Sequence, residues 1–343
     1  MRRAGFTLIE MMTVVAIFGL VAIYVGRILT VNERAYHTVE NTSESQQNLR
    51  VFGELVEDDI RHAGMMVSRN AAVCGVDSTT APDVLYVSDA AAIDPQDDTA
   101  PYNGASVIAS TGTNTNLNVG SSQVLTLSSL TMETSAPSRP AYDTDGNGTA
   151  DSDFRVNGGV IVWDTTSGTG PSRGNACGTV TAVDIANKKI TVTGVAAMAA
   201  AGTTALAAVP ANEYRVVGTQ LRWNGIALAD GIEDFQVGYV FDFPEAGSPN
   251  GDNQIDTAPD ELRSFTTSGT GSTAYQSSAL PGNQMRELRI GIVSRARLTD
   301  ASFVDGRPQA LLNRTPITTA DTYRRRTFET RVVLRNLATR IES

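Results

Sequence analysis

The chain has 343 residues, 41% of them hydrophobic and 19% charged, a balance that excludes a disordered polymer and leaves room for one large domain or two ordinary ones. The formal net charge of −10 argues against a general nucleic-acid-binding surface. Abundant Gly, Ser, Thr, Asn and Asp suit a β-rich body with long loops, and nearly all positive charge is Arg, since the only lysines are Lys188 and Lys189.

The first residues read Met1-Arg2-Arg3-Ala4-Gly5-Phe6-Thr7-Leu8-Ile9-Glu10, and no residue between Glu10 and Arg27 is charged. Phe6 to Gly26 is 21 residues, about 31 Å as a helix and enough to span a hydrocarbon core. Arg2 and Arg3 would hold the short leader in the cytoplasm, leaving the rest of the chain outside. Arg27 lies at the far edge, where its stem lets the guanidinium reach the interface. A secretory signal peptide does not fit, because Glu10 falls inside the run and no small-residue cleavage site follows it. A plain anchor leaves Glu10 unexplained too, since a carboxylate in a membrane helix is costly without a partner.

Gly5-Phe6-Thr7-Leu8-Ile9-Glu10, with its basic leader and the apolar helix that follows at once, resembles the signature of type IV prepilins and pseudopilins with a class III leader. The resemblance implies cleavage between Gly5 and Phe6 by an inner-membrane prepilin peptidase, then methylation of the new Phe6 amine. Gly5 suits the cut because its missing side chain lets a protease approach the backbone. It also implies a role for Glu10 in assembly, neutralising the N-terminal amine of a neighbouring subunit; pairing of this kind fixes register because an unpaired buried charge costs several kcal/mol.

Beyond Arg27, residues 28–63 contain no Pro, and Gly53 is the only Gly. Val39, Leu49, Phe52, Leu55, Val56 and Ile60 recur at partly helical spacing, and 46–63 is clearly amphipathic. One helix from about Phe6 to Ala63, with Gly64 as its cap, would be roughly 85 Å long. The expected organisation is a cleaved leader over 1–5, a transmembrane half of the helix over 6–27, an amphipathic half over 28–63 and a periplasmic or extracellular β-rich head over 64–343. The fold class is α+β, the lollipop of a pilin: a long N-terminal helical spine packed on a β-rich globular head. Gly19, Gly26 and Arg27 stand where many major pilins carry a proline, which speaks against a bulk-forming role. His37 and His62, 25 residues apart on the helix, read as surface or packing residues.

Cys74 and Cys177 belong to no CxxC pair; they fit one disulfide or two unrelated buried thiols, and a body outside the cytoplasm favours the disulfide. From Asp83 onward, short β-branched runs alternate with Gly- and Ser-rich breaks. They predict strands at 84–87, 124–127, 160–163, 189–192, 213–217, 220–223, 235–241, 288–293 and 328–334. The alternation Phe235-Gln236-Val237-Gly238-Tyr239 predicts a half-exposed sheet, residues 265–284 a surface loop, and 196–208 either a short Ala-rich helix or a loop.

Two acidic turns interrupt the head. Asp143, Asp145, Asn147, Thr149 and Asp151, with Gly148 at the bend, reproduce the front of an EF-type calcium loop. Phe154 stands where the bidentate Glu would be, with Asp153 beside it as a substitute. A calcium loop and a solvated acidic turn both fit this pattern. The second turn, Asn250-Gly251-Asp252-Asn253-Gln254-Ile255-Asp256, is a degraded version with Asn253 at the bend.

Three further stretches resemble PilW-type minor pilins in order along the chain: 55–64, 228–239 and 324–336, the last an edge strand expected to end the protein. This resemblance implies a low-abundance subunit that helps prime pilus assembly and sits at or near the tip, acting by packing and not by catalysis. The implied partners are other minor pilins, the major pilin, a PilY-type tip adhesin and the prepilin peptidase, with no nucleic acid. The implied location is a single-pass inner-membrane protein, N-terminus cytoplasmic and head periplasmic, and then the pilus at the cell surface. The alternative is a minor pseudopilin J-like subunit of type II secretion. No GxSxG, HExxH, Walker loop or zinc-type cysteine spacing occurs, and both histidines lie on the spine, so a His-based catalytic centre in the head is excluded.

Overall fold

The computed structural model describes residues 7–65, 67–89, 105–110, 122–130, 152–164, 175–194, 206–242, 261–263, 285–300, 303, 311–312, 314–315 and 321–338. A single helix, α1 (Leu8–His62), runs for 55 residues. Ala63 is its C-cap, and Gly64 then turns left-handed at φ +78. A side chain would be strained there, and the Gly64 N–H donates to Ser88 O at 3.0 Å, tying the helix end to the head.

Leu8–Glu33 is long and apolar enough to cross a membrane, and its most apolar stretch is entirely uncovered. Further on, Leu49, Phe52, Val56, Ile60 and Ala63 recur every three or four residues and are buried. Val39 and Leu55, expected on the same stripe, are 68% and 41% exposed. Leu55 precedes Val56 by one residue and so lies about 100° away around the helix.

The buried stripe lies on a four-stranded antiparallel sheet. It comprises β11 (Ile232–Phe241), β12 (Glu261–Arg263), β13 (Met285–Thr299) and β14 (Tyr323–Val333), in the order β12-β11-β13-β14. α1 packs on β13 and β14. Gly53 makes this approach possible: a Cβ there would stand 2.5 Å from the Phe328 ring on β14. Phe328 shares a register row with Ile292 and Phe235, so the row under the helix is apolar across three strands.

The half-exposed sheet expected at 235–239 is not observed. β11 is buried along nearly its whole length on both faces, Gln236 included. The face away from α1 is covered by the segment around Leu311, which packs on Gly291 with a Cβ–Cβ approach of 3.3 Å for any residue larger than Gly. Gln236 Nε2 donates to Ala81 O at 3.1 Å, and Arg314 pairs with Asp234 at 3.0 Å. Periodicity carries no information about a later segment that returns over the polar face.

The remaining strands form a ten-stranded sheet. They are β1 (Val73–Val76), β2 (Val84–Val87), β3 (Ala105–Ser110), β4 (Ser122–Leu127), β5 (Gly159–Asp164), β6 (Asn175–Asp184), β7 (Lys189–Gly194), β8 (Leu206–Val217), β9 (Gln220–Trp223) and β10 (Ile226–Asp230). The order is β1-β2-β8-β3-β4-β7-β6-β5, and β5 pairs back onto β8, closing six strands into a ring. β8 is long enough to pair with β3 and β5 in its first half and with β2 and β9 in its second.

The end of 196–208, expected as a short helix or a loop, is neither, because Leu206-Ala207-Ala208 is strand. Small buried side chains suit a strand flanked on both edges. Pro210 falls between the β3 and β2 pairings, where its missing N–H breaks no ladder bond, and its carbonyl accepts from Ser88 Oγ at 2.7 Å. The strand expected at 213–217 therefore begins seven residues earlier, at Leu206. Residues 265–284 lie outside the described residues.

Cys74 on β1 and Cys177 on β6 are joined by a disulfide, both buried, 103 residues apart in sequence. A loop of that size stabilises the fold by up to about 4–5 kcal/mol in the chain-entropy picture.

Just before β2, the buried Asp83 carboxylate accepts N–H groups from Ser78 at 2.7 Å and Val237 at 2.8 Å, linking the two sheets. Burial first, then the neighbouring Asp77 charge, pushes its pKa up to about 9. The folded chain therefore holds a proton that the unfolded chain releases near pH 4, so stability from this group falls as pH rises from about 4 to about 9. Thermal melts across pH 5–9 should show this slope in the wild type and a flatter one in Asp83→Asn.

Candidate assembly interface

The spine begins with a cap built by its own signature residues. Thr7 is the extended N-cap of α1. Glu10 Oε2 accepts from Thr7 N and from Thr7 Oγ1, both at 2.9 Å, and Glu10 N donates to Thr7 Oγ1 at 3.4 Å. This is a reciprocal capping box, which satisfies donors that a helix start otherwise leaves open. Glu10 thus has an intramolecular role besides the intermolecular one the resemblance implies. The signal was present in sequence as Thr7-x-x-Glu10. Both bonds fall on Oε2. Gly5 and Phe6, the expected cleavage pair, lie outside the described residues.

Capping and charge can be separated by substitution. Gln at position 10 can still accept from Thr7, so Glu10→Gln should keep the helix start and processing yet lower incorporation into filaments. Glu10→Ala loses the cap as well, at about 1 kcal/mol. Quantifying processed and filament-borne chain by immunoblot for both variants checks this; equal incorporation of Glu10→Gln and wild type contradicts a role for the charge.

From Leu8 to Leu29 the apolar side chains are exposed, and a Cβ at Gly19 or Gly26 would meet nothing within 4 Å. A continuous apolar surface of this length is not stable in water and requires lipid or neighbouring helices. At the other end the joint to the head is polar as well as apolar. Asp59 of α1 accepts from Tyr214 OH at 2.5 Å and Asn212 Nδ2 at 3.3 Å. Burial pushes the Asp59 carboxyl up, and these two donors oppose the shift.

β14 is the edge of its sheet. Arg324, Arg326, Glu329 and Arg331 are exposed along it, the usual protection against unplanned strand pairing. Arg325 is held by Glu233 and Asp321, both at 2.5 Å, and Arg295 stacks on Tyr323 at 4.3 Å. The strand, expected to end the protein, is not the last described element: α2 (Arg335–Ala338) follows and places Leu337 beside Gly64 at the top of the spine. A strand pattern expected to run to Leu334 gives no hint of this turn, which packs on Gly64 through Leu337.

Among the candidate calcium ligands, Asp143, Asp145, Asn147, Thr149 and Asp151 lie outside the described residues. Asp153 is described, and its backbone N–H donates to Leu130 O at 3.1 Å. The second acidic turn, 250–256, is also outside them, as is the His37 side chain. His62 Nδ1 sits 2.9 Å from Asp58 O on its own helix.

Residues 1–25 match the prokaryotic N-terminal methylation motif, and residues 195–336 match the type IV pilus-assembly protein W family. Among curated proteins no match is found. A type IV-like pilin, TTHA1219 from Thermus thermophilus, aligns over 53% of this chain and 85% of its own at 13% identity, with a TM-score of 0.22, too loose to bear on the fold. The methylation motif at one end and the assembly-protein W region at the other together support a type IV minor pilin of PilW type.

Proposed function

We propose that this minor pilin is cut between Gly5 and Phe6, methylated on Phe6, held in the inner membrane with its head outside, and then used to prime filament growth at or near the pilus tip. The observation that carries this reading is the helix itself. Its first half is an uncovered apolar rod, while its second half is locked on the head by the Leu49–Ala63 stripe. Such a subunit can exchange lipid for neighbouring helices without disturbing the head. Its work is association with other minor pilins, the major pilin and a PilY-type adhesin, and needs no catalytic step. The match over 195–336 favours a pilus over a type II secretion assembly.

Deletion of the gene should abolish surface piliation in cells that retract pili and restore part of it when retraction is blocked, counted by electron microscopy. Unchanged piliation in the deletion strain contradicts the priming role. On spacing alone, the reading also includes a calcium ion at Asp143, Asp145, Asn147, Thr149, Asp151 and Asp153. Calorimetric titration of the full chain should show calcium binding that Asp145→Ala removes, and no heat up to millimolar calcium rejects it.

A further inference from the structure

A groove of about 700 Å³ opens between the upper part of α1 and strands β8–β10. Its apolar lining is Leu55, Trp223 and Leu228, and its margin on the helix carries Glu54, Glu57, Asp58, Asp59 and one cation, Arg61. Most of these carboxylates are already engaged. Arg50 pairs with Glu54 at 3.0 Å, Arg61 with Glu57 at 2.6 Å, and Asp59 takes the Tyr214 and Asn212 donors. Asp58 is exposed, and no cation among the described residues lies within ion-pair distance of its carboxylate. The groove thus joins an apolar floor with an indole face to an open negative charge.

We propose that this groove receives a cationic side chain, arginine in preference to lysine, from the head of an adjoining subunit. The stem lies on Leu55 and Leu228, the guanidinium plane on Trp223, and the charge on Asp58. A long basic side chain is apolar along its stem and charged at its tip, which is the order in which the groove presents its surfaces. Arginine is preferred because a planar guanidinium can stack on an indole and bind a carboxylate through two N–H groups. The volume falls within the ~300–1,000 Å³ of ordinary ligand clefts, room for the side chain and a short piece of its backbone.

Position selects protein over lipid as the occupant. The apolar span ends at Glu33 and the groove begins at Glu54, about 30 Å further along the helix. A bilayer headgroup does not reach it, whereas a second head raised on its own spine does. The inference rests on the pilin reading above and adds to it a specific contact between heads.

The test uses the full-length chain in piliated cells, with the photoreactive benzoyl-phenylalanine at Leu228 or, in a second variant, at Leu55. After irradiation, pili are sheared off and the cross-linked peptides identified by mass spectrometry. The expected result is a peptide from another pilin subunit with an Arg or Lys within about one helical turn of the attachment point. Asp58→Asn should lower its yield about fivefold, and Asp58→Glu should not. Filament-borne chain that cross-links at neither position, that captures a segment lacking a cation, or whose yield ignores Asp58→Asn overturns the proposal and leaves the pilin reading standing. Chain that is never processed and never reaches filaments removes the pilin reading itself, and this proposal with it.

Discussion

The structure is organised around a helix that has to satisfy two solvents in succession. Its first half offers an apolar surface all round, and its second half offers an apolar stripe on one side only. In lipid or in a bundle every backbone polar group of such a segment must be bonded within the helix. That is why the start matters: Thr7 and Glu10 close the first turn against each other and leave fewer donors open at the membrane end. The same carboxylate that closes the turn is the one that, in the proposed assembly, would meet a neighbour's amine.

The head is built to hold the upper helix rigidly. Gly53 admits Phe328, the left-handed Gly64 turns the chain into the head, and Leu337 packs beside it from the last helical turn. Asp59, Tyr214 and Asn212 add a buried polar joint whose geometry fixes rotation about the helix axis in a way that apolar contacts do not.

Much of this was legible in the sequence, for physical reasons that differ from part to part. The helix and its membrane half announce themselves through an uninterrupted apolar run, and strands such as Val84–Val87 and Gln220–Trp223 through β-branched or alternating residues between turn signals. Strands β1, β3, β6, β10 and β12 were not legible, because Cys-Gly, Ala-Ser and Thr-rich stretches become strands only through the partners they pair with. The burial of Gln236 and the final turn at Leu337 depend on segments far away in sequence. At the candidate interface Glu10 carries two local signals, its place in the family signature and its capping-box spacing to Thr7. The groove over Trp223 could not be read at all, since its walls come from residues about 170 positions apart.

What distinguishes this account from any other membrane-anchored β-rich head is the state of the amino terminus after maturation. Intact-mass and peptide mass spectrometry of the chain recovered from sheared pili measures it directly. The account predicts a polypeptide that begins at Phe6 with one added methyl group on its amine. A chain that keeps Met1, or that begins at any other residue, would contradict it.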